Sequence, residues 1–246
     1  MVEQYPGWLG EYKMRIMKEC MVAGLLIGGG VLVGCADPST QNEASVTEES
    51  DSKTETFTYT KFDLPLANKV YLGDKDAKHE IVFVFDYSCP WCKEWIDQIL
   101  PVVEERFISS GEAIYKGQPL VLLNQDSQYM ANVDYHVENY NPDDYYDVQK
   151  QFSQDFEHAD WATDDYVDAV SKQFGLAGVE QLTSEEGIEV GIQNSRAYTR
   201  DMGVEYVPTV YVDGIKLFDS FNVDEIADVI NGNLSEGDVI EVDRSE

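Results

Sequence analysis

The chain contains few of the residues that usually bind metals or form structural disulfides. Its 246 residues include four cysteines and three histidines, and only one pair of cysteines has the CxxC spacing. A structural zinc site needs about four ligands. The other cysteines and the histidines are scattered: Cys20, Cys35, His79, His136 and His158. This composition argues against a zinc site, and we predict neither a metal nor a cofactor.

Positive charge is also scarce. Lys and Arg number 17 against 47 Asp and Glu, which gives a formal net charge of −30 at pH 7. Phosphates would be repelled by such a chain, so a nucleic acid is excluded as a partner. The charge fits a soluble surface whose like charges repel one another. The alternative is electrostatic steering of basic substrates.

The N-terminal hydrophobic run, Met21 to Val33, is too short to span a bilayer comfortably. Three basic residues precede it: Lys13, Arg15 and Lys18. The run ends in Leu32-Val33-Gly34-Cys35, which resembles the lipobox of bacterial lipoproteins. We therefore predict a signal peptide over residues 1–34 and a lipid anchor on Cys35, which would hold the protein on the outer face of the cell membrane. A non-lipidated signal peptide and a plain N-terminal anchor are the alternatives.

Two further segments contain little that could be buried. Residues 35–56 are rich in small and polar side chains, and we predict a disordered tether there. Residues 232–246 are acidic, and we predict a frayed tail. The remaining residues, 57–231, are enough for one core with an inserted subdomain.

The CxxC pair follows an apolar segment of strand length, Ile81 to Phe85. Cys89 and Cys92 are separated by Pro90 and Trp91, and helix-like sequence comes next. A strand, a turn and a helix would place Cys89 at a helix N-terminus, with Pro90 at the first helical position, where its missing N–H has no cost. Unpaired N–H groups and the helix dipole would then favour the thiolate, the form that attacks disulfides. The pattern predicts a redox-active pair.

A purely structural disulfide is the main alternative for these two cysteines. It would close a loop too short to contribute much chain-entropy stabilisation. If the signal peptide is removed and Cys35 carries lipid, Cys89 and Cys92 are the only free thiols left. Small exported domains usually use cysteines as structural links, so a single remaining pair favours chemistry.

Hydrophobic spacing and turn residues predict the other elements. We expect strands at Thr56–Lys61 and Gln118–Asn124, and a hairpin within Val207–Phe218 that turns at Asp213-Gly214. Helices are expected at 90–109 with a kink at Pro101, at Asp144–His158, Thr163–Phe174 and Ser184–Met202, and from Asn222 or Asp224 onward. The tyrosines between positions 129 and 146 are expected to pack between helices, the alternative being a binding surface.

Two motifs and their order along the chain give a family resemblance. Ser88-Cys89-Pro90-Trp91-Cys92 follows a strand, and Val207-Pro208-Thr209 precedes the predicted hairpin. Strand, CxxC helix, strand, helical insertion, hairpin and closing helix is the order of the thioredoxin fold. The chain resembles the DsbA-like branch of thiol-disulfide oxidoreductases. The resemblance implies an α/β thioredoxin fold with an inserted helical subdomain over residues 125–200.

The resemblance also implies a role for each site residue. Cys89 would form a mixed disulfide with substrate, and Cys92 would close the redox disulfide with it. Pro208 would be cis and lie against that disulfide, so that the backbone of Val207 could pair with an extended substrate; the alternative is a trans proline at a strand start. Substrate would also contact the dipeptide between the cysteines, Pro90 and Trp91. The implied partners are exported proteins with cysteine pairs and a membrane redox partner.

Two positions depart from the family pattern. Related enzymes often carry a buried acid six residues before the first cysteine, but Phe83 stands there, and Asp86 is out of phase with it. Strongly oxidising members have histidine where this chain has Trp91. Both departures leave the redox potential open. We predict an extracytoplasmic disulfide oxidase; a reductase or isomerase of the same fold is one alternative, and a non-catalytic binding lipoprotein is another.

Overall fold

The computed structural model describes residues 54–178 and 201–243. The predicted signal peptide, lipidation site and most of the tether lie outside these residues, as does nearly all of the predicted helix Ser184–Met202. The chain divides into two compact units, one comprising Tyr59–Gly237 and the other the segments on either side of it. Within the described part, no helix has the length and apolar character needed to cross a membrane.

The described residues contain both strands and helices. The strands are β1 (Thr54–Thr58), β2 (His79–Phe85), β3 (Ala113–Pro119), β4 (Thr209–Val212), β5 (Ile215–Lys216) and β6 (Val239–Asp243). The helices are α1 (Pro90–Glu94), α2 (Leu100–Val103), α3 (Gln125–Tyr140), α4 (Tyr145–Gln154), α5 (Asp164–Phe174) and α6 (Val223–Ile230). Two π-helical turns, Trp95–Ile99 and Glu104–Ile108, continue α1 and α2.

The larger unit is organised around a four-stranded sheet with strand order β3-β2-β4-β5. β2 pairs in parallel with β3 and antiparallel with β4, and β4 pairs antiparallel with β5. Asp213 and Gly214 join β4 to β5 with φ angles of 51° and 83°, the left-handed conformation that a two-residue hairpin turn requires. The predicted strand at Ile81–Phe85 and the predicted hairpin are both confirmed.

β2 is covered on both faces, which explains its unbroken apolar sequence. On one face the ring of Phe83 stacks on that of Trp95, with 3.8 Å between their centroids. On the other face Val82 and Val84 belong to a buried cluster completed by Leu66, Leu120, Met202, Val204 and Tyr211. The central strand is therefore fixed between two layers, and the turn that follows it starts from a rigid base.

The helical run after β2 extends from Pro90 to Ile108, close to the predicted 90–109. Pro101 lacks an N–H and cannot continue the α-helical hydrogen bonding. The interruption takes the form of a π turn, in which the Leu100 N–H donates to the Trp95 carbonyl five residues earlier. A π turn admits one extra residue and commonly accompanies such a break.

One prediction before the insertion is wrong, and one helix at its start had no predicted bounds. The strand lies at Ala113–Pro119 instead of 118–124, and the apolar residues after it leave the sheet, with Leu122 and Leu123 exposed. The helix Gln125–Tyr140 was not predicted, because its sequence is largely polar. It begins with a capping box, in which the Asn124 side chain accepts from the Ser127 N–H and Ser127 caps Asn124 in return.

The helical insertion between β3 and β4 contains α3, α4 and α5 in its described part. The helices predicted at 144–158 and 163–174 are confirmed, although α4 ends at Gln154. Tyr145 is fully buried, as expected for a residue that packs between helices, whereas Tyr140 is half exposed. The last helix is also confirmed, since the Asn222 side chain caps α6.

The smaller unit contains an antiparallel pair of strands, β1 and β6, with Thr54 opposite Asp243 and Thr58 opposite Val239. The prediction of a frayed tail is therefore wrong for Val239–Asp243, and the end of the predicted tether belongs to β1. Val239, Ile240 and Val242 are β-branched residues that favour a strand, and Ile240 and Val242 are buried.

Candidate active site

The CxxC motif lies where β2 gives way to α1. Cys89 is the N-cap residue of α1 and Pro90 occupies the first turn, as predicted. The carbonyl of Cys89 accepts hydrogen bonds from the N–H groups of Cys92 (3.0 Å) and Lys93 (3.1 Å), which close the first helical turn. Both cysteines are free thiols. The structure therefore shows the dithiol form of the pair.

Both cysteines are buried in the dithiol form. Cys92 is 1% exposed and Cys89 is 5% exposed. The segment before β4 lies against Cys89. The Sγ of Cys89 is 3.8 Å from the Val207 carbonyl oxygen, within range of a weak S–H···O hydrogen bond. The dipeptide between the two cysteines is exposed to solvent, and the exposed fraction of Trp91 is 63%.

The Cys89 thiol is acidified by its surroundings, which lower its pKa from 9.0 to about 7. The largest cause is a hydrogen bond from the Cys92 thiol to the Cys89 sulfur. Burial of the thiol raises the pKa and so opposes this effect. The backbone N–H groups of Cys92 and Trp91 lower the pKa further, although the Cys89 side chain forms no capping hydrogen bond. The predicted effect of the helix N-terminus is present, but the partner thiol contributes more.

The pKa of Cys92 is shifted in the opposite direction. Burial raises its pKa far above the usual value of a thiol, and its hydrogen bond to Cys89 raises it further. At pH 7 about half of Cys89 is therefore thiolate, while Cys92 keeps its proton. This asymmetry suits a pair in which one sulfur attacks and the other resolves.

The motif at Val207-Pro208-Thr209 lies beside the cysteines although it is far from them in sequence. The Val207–Pro208 peptide bond is cis. The Thr209 hydroxyl donates to the carbonyl of Tyr206 at 2.6 Å and holds the segment in a tight turn. The structure thus brings Cys89, Cys92 and the Val207–Pro208 segment together. Cys35 lies outside the described residues.

Asp86 is a buried acid that the sequence prediction set aside as out of phase. Its carboxylate is fully buried and accepts four hydrogen bonds, from the N–H groups of Ser88 (2.8 Å), Leu122 (2.8 Å) and Leu123 (3.1 Å) and from the Ser127 hydroxyl (2.5 Å). Its negative charge raises the pKa of both cysteines. The sequence feature that could have predicted a role for Asp86 is its position, directly after a buried strand and three residues before the first cysteine.

Among residues 54–178 and 201–243, no three His, Cys, Asp or Glu side chains are arranged to hold a metal ion. The site consists of two sulfurs, a backbone carbonyl and a buried carboxylate. Its chemistry is thiol–disulfide exchange, which needs only these groups and a partner that carries thiols or a disulfide.

The different acidities of the two thiols predict a pH-dependent alkylation. Of the two thiols in reduced protein, iodoacetamide should modify Cys89, with a rate that rises through a midpoint near pH 7. Cys92 should react only after denaturation. Peptide mapping by mass spectrometry over pH 4–10 measures both. A midpoint near that of an ordinary thiol, or equal labelling of both residues, would contradict the assigned geometry.

The same shifts predict how the stability of the dithiol form depends on pH. The folded pKa of Cys89 lies below its reference value of 9.0, so its contribution is full above pH 9, declines as the pH falls and is lost below about pH 7. The pKa of Cys92 is raised, so its contribution is full below pH 9 and is lost in more alkaline solution. Between pH 7 and 9 the Cys89 contribution therefore grows while that of Cys92 is still near its full value.

The mixed sheet, the helix that carries a CxxC pair at its N-terminus and the adjacent cis-proline define a thiol:disulfide oxidoreductase with a thioredoxin-like fold. The sequence profile of the thioredoxin family matches residues 66–232. The match covers more than half of the chain, and the protein belongs to this family.

Curated relatives agree with this assignment. The chain is 23% identical over 168 residues to disulfide bond formation protein D of Bacillus subtilis, covering 66% of this chain and 76% of that protein. It is 23% identical over 208 residues to the probable disulfide bond formation protein D of Bacillus anthracis, covering 82% of this chain and 91% of that protein.

Solved structures show the same fold. BdbD from Bacillus subtilis in its oxidised form superimposes with a TM-score of 0.64 at 20% identity, over 72% of this chain and 98% of that chain. DsbA from Chlamydia trachomatis superimposes with a TM-score of 0.55 at 19% identity, over 68% of this chain and 90% of that chain. The predicted fold is confirmed.

Proposed function

We propose that the protein oxidises pairs of cysteines in exported proteins through a Cys89–Cys92 disulfide. A substrate thiolate attacks the Cys89 sulfur, the Cys89–Cys92 bond breaks, and Cys92 leaves as a thiol after taking up a proton. The second substrate thiolate then attacks the substrate sulfur of the mixed disulfide and releases the Cys89 thiolate. Two electrons pass from the substrate to the cysteine pair. A membrane redox partner reoxidises the pair.

The observation that carries this proposal is the Cys89–Cys92 pair beside the cis Val207–Pro208 bond, in which Cys89 is the more acidic thiol, with a pKa of about 7. Compared with an ordinary thiol, a Cys89 thiolate is a better leaving group in the second step and stabilises the reduced enzyme, which makes the disulfide more oxidising than a pair of ordinary thiols would form. The names of the curated relatives support the direction, since they are disulfide bond formation proteins.

The surface around Cys89 supports an unfolded polypeptide as substrate. Trp91 and Tyr206 are 63% and 46% exposed and lie on the two segments that flank the sulfur. Leu122 and Leu123, 40% and 54% exposed, are tied to the turn before Cys89 through Asp86. Exposed apolar side chains around a reactive group favour contact with the apolar residues of an unfolded chain.

We place this activity outside the cytoplasm, on a lipid anchor at Cys35. The lipobox-like sequence at residues 32–35 supports this location, as does the absence of any cysteine after it apart from the Cys89–Cys92 pair. Disulfides persist in extracytoplasmic compartments, where such an enzyme has substrates.

A reductase or isomerase of the same fold is the second candidate, and Asp86 favours it. A buried negative charge that raises the pKa of both thiols destabilises the reduced thiolate form and lowers the oxidising power of the disulfide. Trp91 carries no charge that would offset it. The two candidates differ in redox potential, so the potential decides between them.

Oxidative refolding tests the proposal. Oxidised protein mixed with reduced, unfolded ribonuclease should restore ribonuclease activity faster than buffer, and the Cys89→Ala variant should match buffer. Equilibration of the wild-type pair in glutathione buffers gives its potential. A gain that the Cys89→Ala variant also produces, or no gain at all, would remove the oxidase assignment. A strongly reducing potential would favour the second candidate.

A further inference from the structure

The two halves of the site come from distant parts of the chain, and something must fix their separation. One half is α1 with its cysteines, and the other is the Val207–Pro208 segment. The pairing of β2 with β4 aligns them as far as Thr209, which lies opposite Val84. Before Thr209, the hydrogen bond from Cys89 to Val207 is weak, because the sulfur and the carbonyl oxygen are 3.8 Å apart. A contact of that length cannot by itself hold the two segments in register.

Ser220 contacts both halves with strong hydrogen bonds. Its carbonyl accepts from the indole N–H of Trp95 at 2.7 Å, and its hydroxyl donates to the carbonyl of Pro208 at 2.9 Å. Trp95 lies three residues after Cys92 in the same helical run. The residue therefore bridges the helix that carries the sulfurs and the segment that covers them.

Each end of this bridge is rigid. Trp95 is fully buried and stacks on Phe83 of β2. The chain just before Ser220 is held by Glu225, whose carboxylate accepts from the N–H groups of Phe218 (2.6 Å) and Asp219 (3.1 Å). Ser220 itself is 8% exposed. A hydroxyl held in this way can position the carbonyl that it contacts.

We propose that Ser220 is a positioning residue that holds the Val207–Pro208 backbone at the distance from Cys89 at which a peptide docks. Ser220 contacts Trp95 and Pro208, and its effect on the site passes through the Pro208 carbonyl. The inference rests on the proposed function, because it assumes that Val207 offers its backbone to an extended peptide. It predicts a loss of peptide binding and no change in the chemistry of the sulfur.

A pair of isosteric variants separates the hydroxyl from the shape of the side chain. Thr and Val have nearly the same volume, and only Thr keeps the donor. We expect Ser220→Val to raise the KM for a reduced peptide about 5–10-fold relative to Ser220→Thr, the loss typical of one hydrogen bond, with kcat changed less than about twofold. The alkylation midpoint of Cys89 should stay the same in both, since Ser220 contacts none of the groups that set it.

Ser110→Ala is a matched control. The Ser110 hydroxyl also donates to backbone carbonyls, those of Arg106 and Phe107, at 3.1 and 3.0 Å, but it lies at the far end of the helical run. This variant should leave both KM and kcat unchanged. A comparable rise in KM would show that any lost side-chain hydrogen bond has the same effect, and would overturn the positioning role of Ser220.

A second readout keeps this test separate from that of the proposed function. The dissociation constant of an unreactive peptide, with serine in place of cysteine, is measured by calorimetry for both Ser220 variants. If Ser220→Val binds the peptide more weakly but the wild type shows no turnover, the positioning role of Ser220 stands and the oxidase function is overturned. If the wild type turns over and the two variants have equal KM and equal binding, the oxidase function stands and the positioning role is overturned. If the wild type shows neither turnover nor peptide binding, both proposals are overturned.

Discussion

Replacement of Cys92 should abolish turnover and leave Cys89 able to react only once. With Cys92→Ala, the Cys89 thiolate can still attack oxidised glutathione, but no neighbouring thiol remains to displace the product. The mixed disulfide should therefore accumulate to one equivalent, and ribonuclease refolding should fall to the rate in buffer. Mass spectrometry of the adduct and the refolding assay measure the two effects.

The same position also tests why Cys89 is acidic. The Cys92 thiol makes the largest contribution to the lowered pKa of Cys89, by donating a hydrogen bond to its sulfur. Alanine removes the donor, so the pKa should rise toward 9.0, whereas Cys92→Ser keeps a hydroxyl that can donate. At pH 7 the thiolate fraction of Cys92→Ala should fall from about half to about 1%.

Thiolate absorbance as a function of pH, measured for both variants, separates hydrogen bonding from the resolving role. Cys92→Ala should titrate at a clearly higher pH than Cys92→Ser, although neither turns over. Equal pKa values in the two variants would assign the acidity of Cys89 to the backbone N–H groups of α1 instead. The Cys89→Ala protein serves as the control, because subtracting its absorbance removes the contributions of the other cysteines and of the tyrosines.

The sequence was sufficient to predict the site wherever local rules determine the structure. The CxxC pair after a buried strand, Pro90 in the first turn and the Asp213-Gly214 hairpin each follow from residue chemistry within a few positions. The placement of Pro208 beside Cys89 came only from the family resemblance. No periodicity in the sequence shows that segments more than 100 residues apart meet.

The failures came from tertiary contacts that compete with local patterns. The apolar residues of Leu120–Leu123 resemble a strand, but the backbone N–H groups of Leu122 and Leu123 are taken by the Asp86 carboxylate instead of a neighbouring strand. The acid was rejected because its spacing does not match the family position at Phe83. Its burial could not be inferred from spacing alone.

A second buried carboxylate, Asp134 in α3, leads to the largest stability effect that we expect. It accepts hydrogen bonds from the hydroxyls of Tyr87 (2.5 Å) and Tyr145 (2.9 Å) and from the side-chain amide of Gln149 (3.2 Å). Tyr87 stands two residues before Cys89, so this network connects the insertion to the turn before the redox pair. Lys69 lies at the edge of the network and donates to Tyr145 at 3.0 Å.

Asp134→Ala should lower the free energy of unfolding by about 3–5 kcal/mol, because three buried hydrogen bonds to the carboxylate are lost and a cavity opens. For a chain of this size each kcal/mol lowers Tm by about 2–4 °C, so a loss of roughly 6–20 °C is expected. Asp134→Asn should cost less, since its amide keeps one acceptor oxygen. Asp168→Ala, which removes an exposed carboxylate from α5, should stay within about 0.5 kcal/mol of the wild type.

The pH dependence of these variants tests the cause. Burial is the largest influence on Asp134 and raises its pKa above 3.8, although Lys69 opposes the shift. A raised pKa stabilises the fold fully below the unfolded pKa, and that contribution is lost as the pH rises through the folded pKa. The stability of Asp134→Asn, which does not titrate, should therefore improve relative to the wild type as the pH rises above about 4. Urea unfolding at several pH values measures the difference, and a change in the opposite direction would show that the hydrogen bonds and Lys69 outweigh burial.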